Sequence, residues 1–254
     1  ATDAEFQFLV SFFGEEGDIR IERKRPNMGL TPIPRFDLLN LNKYRSMSVQ
    51  ASRGCPIGCE FCDIWRRYGK KPRCKPTDNM CAELEELYRL KWRGPVFVVD
   101  DNFIGDKRRA KQILANVAEW QRRHKYPFPF YTEVTLTLAD DDELLRAFRE
   151  AGFDSVFIGI ETPSEESLRE TRKHINTKGS VFEKVQKLQH WGMQVSSGFI
   201  LGFDNDPEDI GDRMIEFIRL LGIPVAMVGL MQALPETDLY DRLKREGRLL
   251  SESS

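Results

Sequence analysis

The chain has 254 residues, with 38 Lys and Arg against 40 Asp and Glu and a formal net charge of −2. That near balance argues against a nucleic-acid or anionic-membrane partner surface, and apolar runs such as FQFLVSFF (6–13) and GFILGF (198–203) fall well short of the roughly 20 residues of a membrane span. Five cysteines are too few, and odd in number, for a disulfide framework, and the acidic start ATDAEF has no basic flank before an apolar core. The expectation is a soluble protein of the reducing cytoplasm.

The first 45 residues, which include GDIRIERKRPNMGLTPIPRFDLLNLNKYR (17–45), carry three prolines, many charges and little periodicity. They read as an extended lead-in, the tail of a preceding domain, with Arg23, Lys24 and Arg25 as a solvated basic face. From residue 46 short β-branched runs alternate with longer amphipathic segments. SMSVQAS (46–52) is a strand leading into a cysteine-rich loop. TDNMCAELEELYRLKW (77–92) is a helix capped by Thr77 or Asp78, with apolar positions recurring at three and four. PVFVVDD (95–101) is a buried strand, followed by a helix over 107–124 and the strand FPFYTEV (128–134). DDELLRAFREAG (141–152) is a helix stopped by Gly152. Then come the strand SVFIGIE (155–161), helices over 164–173 and 180–191, and the strand QVSSGFILGF (194–203). PEDIGDRMIEFIRLLG (207–222) is a helix with Pro207 in its first turn, PVAMVGLMQALP (224–235) a sixth strand, and TDLYDRLKREGRL (237–249) a last helix.

Six β–α units in succession define an α/β fold with a parallel sheet. An open doubly wound sheet and a closed or partial barrel both satisfy the pattern, and in either the chemistry belongs at the C-terminal ends of the strands. The domain reading is a lead-in over 1–45, a barrel over 46–235, and a C-terminal helix with the start of a following segment over 236–254.

The loop SRGCPIGCEFCDIW (52–65) places Cys55, Cys59 and Cys62 within eight positions. Structural zinc asks for four ligands, usually as two paired hooks, and no fourth thiol lies at hook spacing. A four-iron four-sulfur cluster also usually takes four thiolates, so three leave one iron open to another ligand. A zinc-binding, non-catalytic interaction module remains the alternative. Cys74 and Cys81 read as structural, Met227 and Met231 as core filler, and His124, His174 and His190 receive no role.

CPIGCEFC (55–62) resembles the signature loop of the radical S-adenosylmethionine (SAM) enzymes, with Phe61 where that family prefers an aromatic residue. The resemblance implies a partial (β/α)6 TIM-like barrel. It implies that Cys55, Cys59 and Cys62 bind a [4Fe–4S] cluster, that SAM chelates the open iron, and that an electron donor feeds the cluster. Reductive cleavage of SAM would then give a 5′-deoxyadenosyl radical that abstracts hydrogen from a substrate. Asp100, Asp101 and Asn102, at the end of VVDDNF, occupy the position at which the family holds the SAM amino group. Glu161, in IGIET, matches a polar position that meets the ribose or amino-acid end of SAM. By alternation Phe157 and Gly159 share its face, the glycine leaving room beside the carboxylate. GFILG (198–202) fits the family's G-x-I-x-G pattern, which places Gly198, Ile200 and Gly202 along the adenine. Glu133 and Gln232, ending the third and sixth strands, are further candidates to face the cavity. Longer stretches, among them IPRFDLLNLNKYRSMSVQASRGCP, VFVVDDNFIGDKRRAK and AMVGLMQALPETDLY, resemble the cobalamin-binding class of radical SAM proteins, in the branch of the hopanoid methyltransferases. That implies cobalamin as a further cofactor, held by a domain not complete in this chain, and C-methylation of a small or lipid-like substrate. RNA methylthio transfer is an alternative chemistry on the same barrel.

Overall fold

A computed structural model describes residue 25 and residues 27–249. Its strands are β1 (Met47–Val49), β2 (Ser52–Arg53), β3 (Arg73–Cys74), β4 (Val96–Val98), β5 (Phe130–Val134), β6 (Phe153–Glu161), β7 (Gln194–Leu201) and β8 (Val225–Leu230). The helices are α1 (Ile64–Arg67), α2 (Thr77–Arg89), α3 (Lys107–Arg123), α4 (Asp142–Ala151), α5 (Glu165–Glu170), α6 (Val181–His190), α7 (Ile210–Leu221) and α8 (Asp238–Arg245). Six strands form one sheet in the order β1-β4-β5-β6-β7-β8, every neighbouring pair parallel. β1 and β8 do not pair, so the sheet is an open, partial barrel. β2 and β3 form a separate antiparallel ribbon.

Alternation along the central strands assigns the two faces. Val96, Val98, Phe130, Val134, Val156, Ile158, Val195 and Phe199 are buried and belong to one core that also includes Leu84, Leu114, Leu144, Phe148 and Leu188 from the helices. Each such side chain contributes roughly 1.5–3 kcal/mol. Two polar groups on that face are satisfied by the neighbouring strand: Thr132 Oγ1 donates to the Val98 carbonyl at 2.8 Å and Ser197 Oγ to that of Ile158 at 2.6 Å. The intervening residues Phe97, Tyr131, Glu133, Phe157, Gly159, Ser196 and Gly198 are half-buried. They form the concave face on which the site is built.

All six expected strands are present, and Gly152 stops α4 in the left-handed conformation, φ 88°. Two helix starts and one helix end differ from expectation. α2 follows Pro76 and takes no side-chain cap from Thr77 or Asp78. α7 begins at Ile210, leaving Pro207 in the preceding turn, where Asp206 ties the chain to Gly202, Phe203 and Ser167. α5 is a six-residue piece capped by Ser164. Met227, expected in the core, is 63% exposed on β8. Of the basic run, Arg23 and Lys24 lie outside the described residues. Arg25 donates to the carbonyls of Arg66 (2.9 Å) and Arg67 (3.2 Å) at the end of α1, a favourable place for a cation.

Candidate active site

The cysteine loop leaves the sheet through Gly54. Its φ of +101° suits glycine, and a Cβ there would lie 2.7 Å from the Gly69 carbonyl oxygen. The Cys55 N–H donates to that same oxygen at 3.2 Å. A tight turn follows, in which the Cys62 N–H donates to the Cys59 carbonyl at 3.3 Å and Trp65 Nε1 donates to the same carbonyl at 3.0 Å. The three sulfur-bearing residues all border one cavity of about 210 Å³ at the C-terminal end of the strands.

The run-in to this loop is held by the end of β4. Asp100 is buried; Oδ1 accepts from the Ala51 N–H at 2.7 Å and Oδ2 from Ser52 Oγ at 2.6 Å. Burial outweighs these bonds and lifts its carboxyl to about 6. Asp101 faces the cavity and accepts from the Gly54 N–H at 3.4 Å. Asn102 is also at the cavity, with Nδ2 3.7 Å from Cys55 Sγ and its buried Oδ1 without a hydrogen-bond partner among the described residues. The three consecutive polar residues thus divide: one organises the loop and two face the cavity.

Across the cavity lie Glu133, Phe157, Gly159, Glu161, Gly198 and a residue the sequence reading missed, Lys173. Glu161 sits at a register shift of β6 with φ +73°, an unusual backbone for a non-glycine residue and one that concentrates at functional sites. Lys173 Nζ donates to Glu161 Oε1 at 2.7 Å in a buried pair. Burial opposes the charge on Lys173, but Glu161 and the nearby Cys59 outweigh it and hold the ammonium well above its ordinary range. Gly159 provides the space: a Cβ there would overlap Glu161 Oε1 and approach Lys173 Nζ to 3.1 Å. Lys173 lies in the charged run RETRKH, where nothing distinguishes it from a surface cation. The available signal was its partner, since a carboxylate buried at a strand end requires one.

Four sequence candidates fall outside this cavity. Asp100 is committed to the loop backbone. Ile200 is half-buried further along β7 than Gly198. Gly202 is an exposed turn residue, φ +99°, whose N–H donates to Asp206 Oδ2 at 2.8 Å. Gln232 is exposed beyond the edge strand β8, which does not curl back over the site. Cys55, Cys59, Cys62, Phe61, Asp101, Asn102, Glu133, Glu161 and Gly198 are brought together.

The donor set decides what could bind. All five cysteines are free thiols. Burial pushes the Cys62 thiol up to about 12 and raises Cys59 as well, so metal binding must displace protons. Among the described residues no three Cys, His, Asp or Glu side chains converge on one point as a single metal ion requires. Three thiols around a shared cavity instead suit a polynuclear cluster, in which each sulfur meets a different iron, and Asn102 Oδ1 and Lys173 leave polar atoms for a second ligand beside it.

The sequence profile of the Radical SAM superfamily matches residues 49–218. The chain belongs to the radical SAM superfamily. Over 240 residues, 94% of this chain, it is 50% identical to an uncharacterized methyltransferase of Synechocystis. Over 230 residues, 91% of the chain, it is 41% identical to the hopanoid C-2 methylase of Rhodopseudomonas palustris. This radical SAM chain spans 45% and 44% of the length of those two relatives. Among solved structures, the fold matches TsrM from Kitasatospora setae, a radical SAM methyltransferase with cobalamin and a [4Fe–4S] cluster bound, with a TM-score of 0.71 at 17% identity over 82% of this chain and 38% of that one. It also matches OxsB, a cobalamin-dependent SAM radical enzyme, with a TM-score of 0.69 at 17% identity over 96% of this chain and 44% of that one.

Proposed function

We propose that this chain is the core of a radical SAM enzyme that cleaves SAM reductively at a [4Fe–4S] cluster, for cobalamin-dependent C-methylation of a small or lipid-like substrate. One observation carries the reading: Cys55, Cys59 and Cys62 border a single cavity that also holds the Glu161–Lys173 pair. When bound, the cluster and SAM supply one-electron cleavage of a sulfonium carbon–sulfur bond and hydrogen abstraction from a substrate.

The chain's own residues hold and orient. The three cysteines would ligate the cluster as thiolates, and Asn102 Nδ2 supplies an N–H beside the Cys55 sulfur. Lys173 offers a buried cation for the SAM carboxylate, with Glu161 fixing its position. Asp101 and Glu133 are acceptors for the amino or ribose groups; burial raises both carboxyls, and the nearby Asp101 and Asp100 raise Glu133 further. Phe61 packs toward Phe203 with ring centroids 6.3 Å apart and helps to exclude water. Methyl transfer and an apolar substrate are supported by the names of the two relatives and by the half-buried aromatic floor of Phe97, stacked on Tyr131 at 4.6 Å, and Phe157.

The test is anaerobic reconstitution with iron and sulfide, followed by SAM and a reductant. A brown protein that releases 5′-deoxyadenosine is the expected result, with both properties abolished in Cys59→Ala. A colourless protein carrying one tightly bound zinc defeats the reading. The methylation step is tested separately, by adding cobalamin and following methyl transfer to an isoprenoid lipid.

A further inference from the structure

Glu60 lies between Cys59 and Cys62, yet its side chain is only 5% exposed. A buried carboxylate requires a partner, and its partner is on the last helix. Arg242 of α8 donates from Nε to Oε1 at 2.8 Å and from NH2 to Oε2 at 3.1 Å, a two-pronged pair between residues 182 apart in sequence. The backbone of Glu60 is gripped from both sides: its N–H donates to the Thr171 carbonyl at 2.9 Å and its carbonyl accepts from the Leu239 N–H at 3.0 Å. Further ion pairs cross the same seam. Arg66, in α1 directly after the loop, bonds Asp238 and, at 2.8 Å, Asp241, while Arg172 reaches Asp238 at 2.6 Å. Arg242 also reaches Asp204 at 2.7 Å and is itself only 22% exposed. The superfamily match ends at residue 218, before α8 begins, so nothing in that match assigns a role to this helix.

We propose that the Glu60–Arg242 pair makes α8 a strap that fixes the cysteine loop and balances the charge beside its thiolates. The charge half of this proposal rests on the cluster reading above. A carboxylate held next to the ligands Cys59 and Cys62 opposes addition of an electron to a bound cluster, and the guanidinium offsets it. Arg242 is therefore a positioning residue: it acts through Glu60 and does not border the cavity. The planar fork matters as well as the charge, because one lysine ammonium cannot satisfy both carboxylate oxygens in the same plane.

Two measurements on the whole chain test the two halves. In the reconstituted protein, a redox titration followed by electron paramagnetic resonance should show a more negative cluster potential in Arg242→Gln and a more positive one in Glu60→Gln. The double variant should return close to the parent value, and Arg242→Lys should lie nearer the parent than Arg242→Gln does. In the metal-free protein, hydrogen–deuterium exchange across residues 55–67 should accelerate at least tenfold in Arg242→Gln, with partial protection restored by Arg242→Lys. The double variant leaves no unpaired charge at position 60 and guards against a single variant that does not fold. Potentials indifferent to both Arg242→Gln and Glu60→Gln overturn the charge balance, and parent-like exchange in Arg242→Gln overturns the strap. A parent protein that takes up no iron sinks the cluster reading instead, while the exchange experiment still decides the strap.

Discussion

The first and last strands of the sheet are treated very differently. β1 buries Met47 and Val49, and its C-terminal end is fastened through Ala51 and Ser52 to Asp100. β8 leaves all six residues exposed, with Met227 at 63% and Leu230 at 75%. Both strands pair on one side only. The difference lies in what covers them: one face of β1 is packed into the core and its end leads to the cysteine loop, whereas α8 departs from β8 to meet that loop and, among the described residues, both faces of the last strand are bare. Hydrogen bonds and ion pairs gather around the turn that bears the three thiols, and apolar surface is left where the described residues provide no partner.

Substitutions can break or sharpen this contrast. The largest effect is expected at the buried pair: Lys173→Met strands the Glu161 carboxylate and should cost about 3–5 kcal/mol in urea unfolding, while Glu161→Gln combined with Lys173→Met recovers most of the loss. Gly159→Ala comes next, since its methyl group overlaps Glu161 Oε1; about 1–3 kcal/mol of stability and most SAM affinity should be lost, measured by unfolding and by equilibrium binding. Asp100 predicts a pH effect. Its carboxyl is raised by burial to about 6, so the folded state holds the proton more tightly than the unfolded chain does. The resulting stability is complete below about pH 4 and is lost as pH rises to about 6, a change on the order of 3 kcal/mol. Asp100→Asn should abolish that slope in urea titrations between pH 4 and 7, and a slope that survives refutes the assignment. The smallest effect belongs to the bare edge: Val228→Thr on β8 should change stability by less than about 0.5 kcal/mol, because its side chain is exposed to solvent.

The sequence carried the architecture further than the site. Apolar runs and the 3.6-residue period located all six strands of the parallel sheet, whose core-facing residues include Val156 and Ile158, but not the short antiparallel ribbon of β2 and β3. Helix starts were read less well. Pro207 resembles a first-turn residue, but Asp206 captures the backbone N–H groups of Gly202 and Phe203 and delays α7 until Ile210. The cysteine spacing was legible because it is local. Lys173 and Arg242 were not, since each is defined by a carboxylate distant in sequence, and periodicity does not encode which charged residues meet. The same limit explains Asp100, whose role as a loop brace depends on Ala51 and Ser52 arriving beside it.

Among the described residues the margins of β1 and β8 stay unpaired, which leaves a gap in the barrel wall. The turn bearing Cys55, Cys59 and Cys62 follows β1 and so stands at one margin of that gap, joined to the other margin by the Glu60–Arg242 bridge to α8. A change in the length or tilt of α8 is therefore transmitted to the cysteine turn through side chains, although no backbone pairing joins the two margins.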